Sequence, residues 1–281
     1  VGARSKRNAT KYLSKQKIKI RRARSRRPFP ERVKRFFVIT AKLCLACCIL
    51  AASVLLGITI HNFLFKSSYF HLKNLVIQGV SPELARDLQA ASGLNTDPSP
   101  NLLTINAEQI RRRVASHPKI KYVRVVKQYP SSLIIRALER EPVAIVNSQE
   151  MYLIDADGVA IERLDPKNKT KVAFPFITGV PASRIQLGQP IDLDALLRSI
   201  DLIVNLQTKN EDLYQQLAEV NISEKNEITA YLKGGVEIRF GTTPPVEKLP
   251  ALEAFATRMR TLKNLHYADF RFGDQIYYVM R

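Results

Sequence analysis

The chain has 281 residues, enough for one or two domains that bury real cores. Its formal net charge of +19 comes from 44 Lys and Arg against 25 Asp and Glu. A 46% hydrophobic and 25% charged composition excludes a chain disordered throughout. The charge is uneven. Residues 1–42 hold 16 basic residues and one acid, Glu31, a charge of +15, and residues 43–281 carry the remaining +4. A folded reader of nucleic acid carries its Lys and Arg on one face of the fold, so the near-neutral body argues against a specific nucleic-acid partner.

Residues 43–60, LCLACCILAASVLLGITI, run for 18 residues without a formal charge, and the apolar character continues to Phe65 past His61 and Asn62. At about 1.5 Å per residue, some 20 such residues span a bilayer core of about 30 Å. A cleaved signal peptide has a shorter basic region and an apolar run of about 7–15 residues, so a retained transmembrane helix over 36–65 is the expectation. Arg21, Arg22, Arg24, Arg26, Arg27, Arg32, Lys34 and Arg35 precede it, against only Lys66 and Lys73 just after. Basic flanks stay cytoplasmic. Residues 1–35 therefore read as a basic cytoplasmic tail, and residues 66–281 face the periplasm or the cell exterior. Near the membrane the tail attracts anionic lipid headgroups, at about 1 kcal/mol per basic residue. Cys44, Cys47 and Cys48 all lie in the span. The exported part then folds without disulfides, and the Cys44-x-x-Cys47 spacing lacks a thioredoxin-like context.

Beyond the span, residues 72–78 read as a strand ending at Gly79. Ser81-Pro82-Glu83 opens a helix with Leu84, Leu88 and Ala91 on one face, which Gly93 ends. The loop 95–101 holds Pro98 and Pro100. Asn106 with Gln109 caps a second helix bearing Ile110 and Val114, closed by Pro118. Residues 121–128 alternate, Tyr129-Pro130-Ser131-Ser132 turns, and 133–138 forms the next strand. The order is β-α-α-β-β.

The second unit reads as β-rich with two helices. Asp157-Gly158 turns one hairpin. Asp192 is placed to cap a helix with a wide apolar stripe, Leu193, Leu196, Leu197, Ile200, Ile203 and Val204. Lys233-Gly234-Gly235 joins two alternating runs. Pro244-Pro245 starts a helix carrying Leu249, Leu252, Phe255, Met259 and Leu262. Residues 266–272 and 275–280 are strands joined at Gly273-Asp274.

Catalytic patterns are scarce. His71, His117 and His266 are scattered with no H-E-x-x-H, and neither a phosphate-binding Gly-rich loop nor a G-x-S-x-G elbow occurs. Ser116-x-x-Lys119 has the S-x-x-K spacing of penicillin-binding enzymes, but that nucleophile begins a helix and Ser116 ends one. Asp155-x-Asp157-Gly158 lacks the remaining calcium ligands and reads as a turn. No enzyme activity, cofactor, metal or small-molecule substrate is expected. The run Ile276-Tyr277-Tyr278-Val279-Met280 has high β-propensity. At a sheet edge it is a template for an added strand; inside a sheet its tyrosines are ordinary packing. Both readings stay open on residues alone.

The segment Phe70-His71-Leu72-Lys73-Asn74-Leu75-Val76-Ile77-Gln78-Gly79 resembles the opening strand of a POTRA domain, as does the run Pro118, Val123, Val125, Pro130, Leu133 and Ile135. Glu139-Arg140-Glu141-Pro142-Val143-Ala144 resembles the ER-x-P-x-A signature of the bacterial cell-division family FtsQ (DivIB). Tyr152 to Val159, Phe174-Pro175-Phe176-Ile177-Thr178-Gly179 and Asp269-Phe270-Arg271-Phe272 resemble later elements of that family, with Phe270 departing from its D-L-R-[FY] pattern. The resemblance implies an α+β chain: a single transmembrane helix, a POTRA domain over 69–141, and an FtsQ-type β domain over 142–281. It implies a non-enzymatic septal scaffold of the divisome in the cell inner membrane, with FtsB and FtsL as membrane partners and the POTRA unit aiding recruitment to the septum. It also implies an FtsB-binding surface at Arg271, Phe272, Gln275, Ile276, Tyr277 and Tyr278. Two other classes compete: a POTRA chaperone of envelope assembly or secretion, and an anchored cell-wall enzyme using Ser116.

Overall fold

The computed structural model describes residues 31–94, 99–165, 174–259, 265–273 and 275–280. The basic tail before Glu31, Pro98, Leu262 and Asp274 lie outside the described residues, as does the Met259 side chain. The chain divides into two units between Asn62 and Phe63.

Helix α1 (Glu31–Lys66) runs 36 residues with none buried, about 54 Å at the α-helical rise. It is long and apolar enough to cross a membrane by length and composition. Its few hydroxyls turn inward on the helix: Thr40 donates to the Phe36 carbonyl, Ser53 to Leu50 and Thr59 to Leu55. Such back-bonding satisfies polar groups where no water does.

The expected β-α-α-β-β order follows, as β1 (Asn74–Gln78), α2 (Pro82–Ser92), α3 (Ala107–Ala115), β2 (Ile120–Gln128) and β3 (Ser132–Glu139). The sheet order is β1-β3-β2, with β1 parallel and β2 antiparallel to β3. Leu84, Leu88, Ile110 and Val114 from the helices meet Val123, Leu133 and Ile135 from the sheet. Asn106 caps α3 by accepting from the Glu108 and Gln109 amides, and Gly93 ends α2 at φ +66°. Ser81 heads α2 without a side-chain cap; its own N–H donates to Glu139 Oε2 at 3.1 Å. A bulge between Ile120 and Tyr122 shifts the β2 register, so Ile120 and Val123 are both buried despite odd spacing. Gly79, at φ +86°, is required: a Cβ there would overlap the Ala137 carbonyl oxygen.

The described residues that follow form one sheet of nine strands in the order β12-β11-β10-β9-β8-β7-β4-β5-β6. These are β4 (Pro142–Asn147), β5 (Met151–Asp155), β6 (Ala160–Leu164), β7 (Phe176–Thr178), β8 (Leu217–Ile222), β9 (Ile228–Leu232), β10 (Val236–Gly241), β11 (Leu265–Phe272) and β12 (Gln275–Met280). Parallel neighbours need crossovers, and the helices sit where they occur. Helix α4 (Asp194–Lys209) and the short α5 (Glu211–Gln216) link β7 to parallel β8. A 3₁₀ turn (Pro245–Lys248) and α6 (Leu249–Met259) link β10 to parallel β11. The two expected helices are α4 and α6, and α5 is added by the crossover. Leu193, not Asp192, is the N-cap of α4, without a side-chain bond; the Asp192 carbonyl instead accepts from Arg184. Leu196, Ile200 and Ile203 of α4, with Leu252 and Phe255 of α6, bury against Ile177, Val220, Ala230, Phe240 and Phe270.

A clasp joins the two sheets. Arg140, between β3 and β4, donates from Nη1 to Asp155 Oδ2 at 2.5 Å and from Nε to the Ile120 carbonyl at 3.2 Å. The side chains of Arg140 and Asp155 are 14% and 3% exposed, so this is a buried pair. Asp155 Oδ1 accepts from the Asp157 and Val159 amides and closes the β5–β6 turn. Lys121 pairs with Asp157 at 2.9 Å, and Lys119 with Glu162 at 2.7 Å. Asp155→Asn keeps the turn acceptor but leaves the buried Arg140 charge only the more distant Asp157 Oδ2, at 3.5 Å. It lowers stability by about 3 kcal/mol, read as a lower urea midpoint.

Candidate protein-interaction edge

Strand β12 is a terminal strand of the nine-stranded sheet. One side pairs antiparallel with β11, with Leu265 opposite Met280, Tyr267 opposite Val279, Ala268 opposite Tyr278 and Asp269 opposite Tyr277. The other side has no neighbouring strand among the described residues. Every β12 residue except half-buried Ile276 is exposed. Tyr277 retains 54% and Tyr278 44% of its surface, with Val279 and Met280 close behind.

Alternation divides these side chains between the sheet's two faces. Ile276 packs on the main core, and Tyr278 meets Phe255 of α6 at 5.7 Å between ring centroids. Tyr277 lies on the opposite face. Its hydroxyl donates to Gln275 Oε1 at 2.8 Å, and its ring meets exposed Phe272 edge-on at 5.2 Å. The Arg271 guanidinium lies 5.7 Å from the Phe272 ring. The predicted residues Arg271, Phe272, Gln275, Ile276, Tyr277 and Tyr278 thus lie on one hairpin, five of them exposed and Ile276 an anchor.

The hairpin is fixed from below. Asp269 is buried and receives Arg271 Nη2 at 2.7 Å and Nε at 3.0 Å, together with the Arg271 amide at 3.1 Å. The Arg271 side chain holds the Asp269 carboxyl below the usual carboxylate range, against the upward push of burial. Lys248 Nζ donates to the Gly273 carbonyl at 2.6 Å and ties the turn to the start of α6. On the neighbouring strands Arg239 stacks over the Tyr267 ring at 4.2 Å. Sequence reasoning missed Val279 and Met280 as contact candidates, although the same β-propensity run contained them. It also missed the anchoring role of Asp269, whose only signal was its place two residues before Arg271.

Other candidates fall elsewhere. The Ser116 hydroxyl donates to the Arg113 carbonyl at the end of α3, and Lys119 is held by Glu162. Among the described residues no three His, Cys, Asp or Glu side chains gather as metal ligands.

An apolar lead helix, a small βααββ domain and a large sheet ending in an exposed strand define a POTRA-bearing protein of the cell envelope. The family model for the POTRA domain, FtsQ-type, matches residues 70–140, and that for cell division protein FtsQ/DivIB, C-terminal, matches residues 144–271. The chain is 28% identical to Cell division protein FtsQ of Syntrophotalea carbinolica over 74% of this chain and 73% of the relative. It is 21% identical to that of Geotalea daltonii over 84% and 86%, and 27% identical to that of Mycobacterium leprae over 67% and 52%. The chain belongs to the FtsQ/DivIB family of cell-division proteins. Residues 272–280 lie past the matched range, so the β12 surface is read from its geometry.

The lowered Asp269 carboxyl sets a pH dependence. Its stabilisation is complete above the ordinary aspartate value of about 3.9 and is lost as pH falls through the lowered value. Asp269→Asn costs about 2 kcal/mol at neutral pH and flattens the acid limb of the stability profile, measured by urea unfolding between pH 7 and 2.

Proposed function

We propose that this protein is a non-enzymatic scaffold of the divisome that captures an FtsB-like partner, with FtsL alongside, by strand addition at β12. The single observation that supports this reading is the place of β12 at the sheet edge, with no strand on its outer side among the described residues. Main-chain hydrogen bonds to an incoming strand supply affinity, and side-chain pockets alternate along it for specificity. Tyr277 and Phe272 offer amphipathic area on one face, and Tyr278 with Phe255 on the other. Arg271, its Nε and Nη2 held by Asp269, stands beside them.

In this reading α1 spans the inner membrane once, with the basic tail over residues 1–35 in the cytoplasm against anionic headgroups and the span over 36–65. The POTRA domain over 69–141 and the β domain over 142–281 stand on the other side, at the division septum. The buried Arg140–Asp155 pair supports a function in which the two domains act together.

Tyr277→Lys tests the edge, because this side chain lies outside the core cluster and its loss removes only the surface contacts with Phe272 and Gln275. Affinity for a synthetic peptide covering the β-forming segment of FtsB falls at least tenfold while the melting temperature holds. Undiminished binding removes strand addition. A fluorescently tagged chain gathers as a midcell band; uniform membrane fluorescence removes the septal reading.

A further inference from the structure

The three-stranded sheet has a second face. Its inner face lies on α2 and α3 through Leu75, Ile77, Val123, Val125, Leu133 and Ile135. The outer face follows from the register of β1-β3-β2 and falls into rows across the strands. One row is Asn74, Ser132 and Gln128. The next is Val76, Ile134 and Val126. Then come Gln78, Arg136 and Arg124, and last the pair Leu138 and Tyr122. Tyr122 is 62% and Leu138 53% exposed. Four of these eleven residues are aliphatic and a fifth is Tyr122.

Arg124 and Arg136 stand directly opposite each other, and both are exposed. Like charges at such positions destabilise the sheet. Neither guanidinium has a carboxylate partner among the described residues, and no outer-face row carries an acid. Two guanidiniums side by side match carboxylates in bidentate geometry. A second copy of this face would bring Arg against Arg, so self-pairing through it is disfavoured. Electrostatic recognition of a lipid surface uses clusters of about 4–8 basic residues, and this face offers two set between β-branched and aromatic side chains.

We propose that this face docks an acidic amphipathic helix of a partner protein, with its apolar stripe on Val76, Ile134 and Val126 and its carboxylates on Arg124 and Arg136. The helix would form the missing second layer of an α/β/α sandwich. The site is separate from β12 and does not depend on strand addition there.

The test uses the full chain in nanodiscs of neutral phosphatidylcholine. The probe is a helical peptide of about 18 residues, five turns, with a leucine stripe flanked by glutamates and a benzophenone on the stripe. Cross-links mapped after proteolysis report this face separately from the basic tail. The expected result is saturable cross-linking to residues 74–78 and 122–138, at least tenfold weaker for the twin peptide with Gln in place of Glu. Arg124→Glu combined with Arg136→Glu weakens the Glu peptide at least tenfold and instead binds the Lys twin. Arg124→Glu alone raises the melting temperature, because an opposed pair replaces a repulsive one, yet it weakens binding. Tyr277→Lys leaves binding unchanged. Equal binding of the Glu and Gln peptides, or indifference to the charge reversal, overturns the proposal. So does loss with Tyr277→Lys, which would move the peptide to β12. Binding of phosphatidylglycerol vesicles that requires both arginines, without competition from the peptide, assigns the face to lipid and overturns it as well.

Discussion

Backbone N–H and C=O groups along a strand need partners, and an open sheet leaves two strands that satisfy only one side. In the nine-stranded sheet that requirement falls on β6 and β12, and the two ends are treated differently. At β6 the 187–190 segment crosses the strand's beginning: the Gly188 amide donates to the Ala160 carbonyl, and Val159 bridges Pro190. Glu162 is held by Lys119 from the smaller sheet. At β12 no described segment covers the free side, and the strand carries tyrosines and aliphatics where an edge built against association would carry lysine or proline.

The β12 edge is braced from below. Parallel β10 and β11 force a crossover, and α6 from that crossover lies beneath β12, where Phe255 meets both Phe270 and Tyr278. Asp269, buried under Arg271, fixes the hairpin from within the same strand. At the far end of the sheet, Arg140 ties the POTRA domain to the β5–β6 turn through a pair almost out of water. Removing one partner of such a pair is costly, which keeps the domain exit in a fixed geometry.

Most of the element order was legible because its signals are local. Gly93 and Asn106 bound helices by caps, Gly79 ends a strand at a positive φ, and Asp157-Gly158 and Lys233-Gly234-Gly235 turn hairpins. Where reading failed, the competing force was not local. The N-cap position of α4 falls on Leu193, a residue packed against the core, one past Asp192. The short α5 carries too few residues for a periodic signal; it exists because the β7–β8 crossover must return along the sheet.

The amino-acid sequence by itself determined the +15 segment, the uncharged helix beside it, the two successive units and the β-forming run at Tyr277 and Tyr278. It did not decide whether that run was an edge or an interior strand, since β-propensity is the same in both. Nor did it reveal that Arg124 and Arg136 face each other, or that Arg140 meets Asp155. Strand order, register and burial are properties of long-range pairing, fixed only when segments far apart in the chain share one sheet and one core. That pairing put β12 at the edge and two arginines opposite each other on one exposed sheet face.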